Sequence, residues 1–300
     1  MNANTPVNAP ARVPWRHVAG FVALAYGISW TMWASAMPDA WHALQAGRTP
    51  TSYTVAGLGL LGMFGPALAA LVMRRFFTHE GIRGSVGARR SWRYYAVAVV
   101  APMVIVLASL AISAATGLAD FRAGDKPLWA LFLVLVAIDI PLSTIATLGE
   151  EYGWRGYLLP KLLPLGQVKA SVIVGLVWAP WHLPLLLVGL NYGGKDVLAV
   201  LGFMLALTIA LSLLLTRLFV LAGGSVLVTA VAHASFNAFG DRLSDSEHLS
   251  SNPFLGGVGG VVGLGLMAVA VLIVYGRGVS RRRHRPRAVG GEVASARMPA

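Results

Sequence analysis

Three short groups of polar residues stand out because each lies inside an otherwise apolar run. The first is Glu150-Glu151-Tyr152-Gly153-Trp154-Arg155, the second Trp178-Ala179-Pro180-Trp181-His182, the third His233-Ala234-Ser235-Phe236-Asn237. Ionisable groups in such surroundings are costly to keep and point to function. Successive helical residues diverge by about 100°, so Glu150 and Glu151 cannot serve the same role. Arg155 follows Glu151 by four residues, which places the two on one face within ion-pair reach. That leaves Glu150 without a local partner, and a desolvated, unpaired carboxylate suits a general base.

His182 lies about 18 Å along its helix from the nearer end of its apolar run. It is flanked by Pro180 and Pro184, which free backbone carbonyls and open space within a bundle. His233 and Asn237, four apart, share a helical face. Together they can hold a water, a metal or an oxyanion. One carboxylate and two imidazoles converging from separate helices would activate water. Two arrangements are open: a metal site of Glu150, His182 and His233 holding a divalent ion such as zinc, or a metal-free Glu/His pair with a His/Asn oxyanion hole. Each group on its own is equally compatible with interhelical packing.

The elements that must position these groups are membrane helices. Of 300 residues, 56% are hydrophobic and 12% charged, against roughly 25% charged in soluble domains. Mean hydropathy is +0.68. A crossing needs about 20 apolar residues. Charge-free stretches cover Val18–Pro38, Thr49–Met73, Tyr94–Ala119, Ala170–Gly194, Val197–Thr216, Leu218–Gly240 and Leu249–Gly276. Another, Pro127 to Leu159, is interrupted by Asp139, Glu150, Glu151 and Arg155. The expectation is an all-α polytopic bundle of about eight spans. Residues 1–16 form a cytoplasmic N-terminal segment, 17–276 the membrane domain and 277–300 a basic, disordered cytoplasmic tail. Arg217, Gly223 and Gly224 mark a tight turn.

The net charge is +12, but the basic residues sit in clusters between apolar runs. This is the positive-inside pattern, not a nucleic-acid surface. The cluster from Arg74 to Arg93 and the one from Arg277 to Arg287 predict both termini in the cytoplasm, with the three polar groups toward that side. Membrane lipid is an expected partner. The absence of cysteine excludes disulfides and thiolate chemistry. Abundant arginine, alanine, glycine and valine fit a GC-rich bacterial genome and hence an inner membrane.

Taken in order, Glu-Glu-x-x-x-Arg, aromatic-x-x-x-His and His-x-x-x-Asn resemble the CAAX prenyl endopeptidase and bacteriocin-processing (CPBP, or Abi) family, whose best-known branch is the type II CAAX prenyl protease. The resemblance covers about 127–241. Its second motif opens on Trp178, where phenylalanine is usual. It implies hydrolysis of a peptide bond in a peptide, lipidated or membrane-protein substrate. Glu150 and His182 would activate water, and His233 and Asn237 would bind metal or the oxyanion. Glu151, Arg155 and Trp178 would support them. Two other classes compete: a non-catalytic scaffold or immunity protein, and a proton or cation transporter. The second would need a polar path to both faces, which the run Leu185-Leu186-Leu187-Val188 does not offer.

Overall fold

The computed structural model describes residues 10, 12–35, 37–46, 59–81, 86–87, 90–121, 127–188, 196–244, 249–252 and 254–283. The apolar runs form helices: α1 (Trp15–Ala34), α2 (Met37–Gln45), α3 (Gly65–Val72), α4 (Trp92–Ala115), α5 (Leu128–Val134), α6 (Ile140–Gly153), α7 (Leu159–Leu162), α8 (Gln167–Trp181), α9 (Leu183–Leu187), α10 (Val197–Leu221), α11 (Val226–Ser244) and α12 (Val261–Arg283). A short antiparallel ribbon, β1 (Ala119–Phe121) with β2 (Leu249–Ser251), joins the chain after α4 to the chain before α12.

The chain is a multi-pass α-helical membrane bundle, in which the described residues show fewer than the eight expected spans. Among the described residues, four helices are long and apolar enough to cross: Gly59–Thr78, Trp92–Ala115, Trp129–Leu165 and Val197–Leu221. Bent α1 and α2 make a fifth if counted together, and Val261–Gly276 is a shorter apolar helix. Two causes account for the difference. The expected span from Ala170 is broken at His182, and 189–195 lie outside the described residues. α11 carries polar residues that protein, not lipid, surrounds. α12 continues through Arg277 to Arg283; 284–300, the rest of the expected tail, lie outside the described residues. The turn at Gly223 and Gly224 is as expected, both glycines adopting positive φ (63° and 83°).

Prolines decide where the long central helix departs from ideal geometry. Pro141 and Pro160 lack an N–H for the carbonyl four residues back. A π-helical turn, Leu135–Asp139, precedes the first, and another, Trp154–Leu158, precedes the second. The carbonyl that Pro160 leaves unserved is that of Gly156. Arg74 Nη2 donates to it at 2.6 Å. Arg74, read from sequence as a charge in a cytoplasmic loop, is therefore buried in the bundle. Glu80 pairs with it at 3.3 Å and also with Lys161, so the segment after α3 is clamped to α7.

α6 lies between α3 and α11; α11 also packs on α4, and α8 on α10. Small residues permit these close crossings, as in other membrane bundles. A Cβ at Gly175 would meet Ile209 Cα at 2.6 Å, and the Thr208 hydroxyl donates to the Gly175 carbonyl at 3.0 Å. Gly149 and Gly153, the two ends of a G-x-x-x-G that encloses both glutamates, face the Met63–Pro66 backbone. A Cβ at Gly153 would meet the carbonyl carbon and oxygen of Pro66 at 2.6 Å. Gly153→Ala is expected to cost about 1–3 kcal/mol by overpacking, read as a lower unfolding midpoint of the purified protein. An unchanged midpoint would mean that this crossing is loose.

Candidate functional site

The break at His182 follows from its flanking prolines. The His182 N–H bonds to Ala179 O, three residues back, at 3.1 Å. This leaves the Trp178 carbonyl without its helical donor. The ring of His182 takes over, with Nδ1 3.0 Å from Trp178 O. A carbonyl only accepts, so Nδ1 carries the proton and a neutral His182 presents the lone pair of Nε2. The Trp181 carbonyl, also freed at the break, accepts from Trp30 Nε1 at 2.9 Å. α1 thus holds the broken helix from behind.

The expected pairing of Glu151 with Arg155 is present. Arg155 Nη1 donates to Glu151 Oε1 at 2.6 Å, and neither side chain is exposed. The same oxygen lies 3.1 Å from His233 Nδ1. A carboxylate accepts, so this ring also carries its proton on Nδ1 and leaves Nε2 for other partners. Arg155 Nη2 reaches Ser212 Oγ on α10 at 3.0 Å. Its guanidinium lies 4.6 Å from the Trp178 ring centroid, within cation–π range.

Glu150 is not without a partner. Trp178 Nε1 donates to its Oε2 at 2.8 Å. The partner is neutral and comes from α8, so helical spacing alone could not reveal it. Trp178, expected only as supporting bulk, meets Glu150, Arg155, His182 and His233. Its ring meets His233 edge-on at 5.0 Å and lies 6.0 Å from that of His182. Glu150 and His233 are within electrostatic reach of each other, as are His182 and His233. Glu150, Glu151, Arg155, Trp178 and His233 are buried, whereas His182 is partly exposed. Asn237 lies one turn beyond His233 on α11 and is also partly exposed.

The structure thus brings Glu150, Glu151, Arg155, Trp178, His182 and His233 together from α6, the π turn after it, α8 and α11. Ser212 is a member that sequence reasoning missed; nothing distinguishes it from other serines in apolar helices. Among the described residues, no group of three or more histidine and acidic side chains is placed to hold a metal ion. The Nδ1 atom of each histidine is already committed, and Glu150 is held by an indole. What the arrangement offers is a carboxylate and two imidazole Nε2 atoms in a low-polarity surrounding, with His182 partly exposed.

Residues 126–239 match a family model described as Type II CAAX prenyl endopeptidase Rce1-like. A stretch of 63 residues is 38% identical to CAAX prenyl protease 2 of Methanococcus maripaludis. That match covers 21% of this chain and 20% of the relative, so it spans about a fifth of the curated protein's length.

Removing Arg155 alone strands a buried carboxylate. Arg155→Ala is expected to lower stability by about 3–5 kcal/mol. Arg155→Met combined with Glu151→Leu, which removes both charges, is expected to recover at least half of that loss. Unfolding of the two purified variants checks this, and equal losses would show that the pair is not the buried electrostatic unit described.

Proposed function

We propose, from the match of residues 126–239 to the Rce1-like type II CAAX prenyl endopeptidase model, that the chain is a member of the CPBP family and an intramembrane endopeptidase acting on a lipidated or membrane-associated substrate. The observation that carries this reading is the Glu150–Trp178–His182 arrangement: a buried carboxylate held by the Trp178 indole, whose ring lies 6.0 Å from that of a partly exposed His182.

In this reading a water molecule bridges Glu150 and His182. Glu150 accepts a proton as the water oxygen attacks the peptide carbonyl carbon. His182 Nε2 orients the water. The Asn237 amide donates to the developing oxyanion, and His233 beside it on the same helical face helps to stabilise that charge. Glu150 then gives its proton to the departing amine, the C–N bond breaks, and the carboxylate is restored. Glu151 is a positioning residue that fixes the His233 ring through Nδ1. In this reading no step passes through a metal. The active site lies toward the cytoplasmic face, on the basic side of the bundle.

The test is cleavage of membrane-anchored reporter peptides, prenylated and unprenylated, by the purified full chain, with products identified by mass. Glu150→Gln is expected to lower kcat by about 10²–10⁴-fold, the usual scale for a general base, without loss of folded protein. Wild-type activity is expected to persist with chelator present. Full activity in Glu150→Gln would exclude Glu150 as the base, and loss of activity on chelation, restored by added metal, would exclude the metal-free mechanism.

A further inference from the structure

Behind α10, on the side away from Ser212, a groove of about 280 Å³ runs between α8, α10 and α12. It is lined by Val168, Leu213, Val271, Leu272, Tyr275 and Gly276. The only side-chain polar group among these is the Tyr275 hydroxyl, which is spent on the Leu213 carbonyl at 3.0 Å. Val168 opens α8, Leu213 lies in the last turns of α10, and Gly276 lies toward the end of α12, so the groove opens at one end of the bundle. That end is basic. Arg217 follows Leu213 by four residues, on the same face of α10, and is within electrostatic reach of Tyr275. Lys169 follows Val168 and is exposed. Arg277 follows Gly276 in sequence. No acidic residue occurs in 159–172, 209–225 or 261–283. Gln167, immediately before Val168, keeps a buried amide oxygen without a hydrogen-bond partner.

The geometry points to a binding site for an anionic glycerophospholipid, with an acyl chain in the groove and the headgroup phosphate between Arg217 and Lys169. The volume is near the lower limit of small-molecule pockets, about 300 Å³, which suits a length of acyl chain and not a folded partner. Acyl chain and lipid bilayer are equally apolar, so burying the chain gives little selectivity. Selectivity comes from the cations, in the manner of other interfacial basic clusters. The site is distinct from the cluster around Trp178, although both border α10: Ser212 faces Arg155, and Leu213 faces the groove.

The test is native mass spectrometry of the delipidated full-length protein titrated with dioleoyl phosphatidylglycerol or dioleoyl phosphatidylcholine. One phosphatidylglycerol is expected to bind at least tenfold more tightly than phosphatidylcholine. Arg217→Ala and Lys169→Ala are each expected to weaken it about fivefold, the effect of one interfacial cation. Val271→Trp, which fills the groove and leaves the cations, is expected to abolish the preferred site. Equal affinity for both lipids, or a preference unchanged in Val271→Trp, would overturn the proposal. So would dimerisation on delipidation that Val271→Trp prevents, since that outcome assigns the groove to a second copy of the chain.

Discussion

A guanidinium and a carboxylate buried side by side in an apolar bundle constrain everything around them. Desolvating either ion costs several kcal/mol, repaid only when its partners are close and well aligned. The Arg155–Glu151 pair meets that condition by drawing on four helical segments. Glu151 reaches His233 on α11, and Arg155 reaches Ser212 on α10 and the ring of Trp178 on α8. The pair itself sits where α6 passes into a π turn. Shift any of these segments and a buried charge loses a partner. The pair therefore fixes the positions from which Trp178 holds Glu150 and His233 presents Nε2.

A second constraint comes from prolines. Each removes one backbone donor, and the carbonyls freed nearby are put to use. His182 satisfies the Trp178 carbonyl with its own ring and so fixes its own tautomer. Arg74 satisfies the Gly156 carbonyl and so ties the segment after α3 beneath the site. The bundle spends polar side chains on backbone that lipid could not satisfy, and the same bonds orient the groups with chemical potential.

Much of this was legible before the structure. The spacing of four separated Glu151, the partner of Arg155, from Glu150. Pro180 and Pro184 marked His182 as a place where helix gives way. The order of the three motifs pointed to one family. Other features were hidden for physical reasons. Span counting assumes that each long helix faces lipid, but α11 is enclosed by neighbours and can carry His233, Ser235 and Asn237. Arg74 looked like a topology charge because its carbonyl partner, Gly156, lies 82 residues away in sequence. Trp178 looked like bulk, since an indole N–H directed at a carboxylate depends on how α8 crosses α6. The G-x-x-x-G of Gly149 and Gly153 was readable as a close-packing signal, yet only the crossing with the chain before α3 gave it a partner.

The account rests on Glu150 and His182 acting on a single water molecule. A double-mutant cycle in kcat/KM for peptide cleavage, with Glu150→Gln, His182→Ala and both together, tests that directly. Groups that work as one unit are strongly non-additive. The double variant is expected to be no slower than the slower single variant. Losses that multiply, with the double variant slower by the product of the two single effects, would show that the residues act independently and would contradict the account.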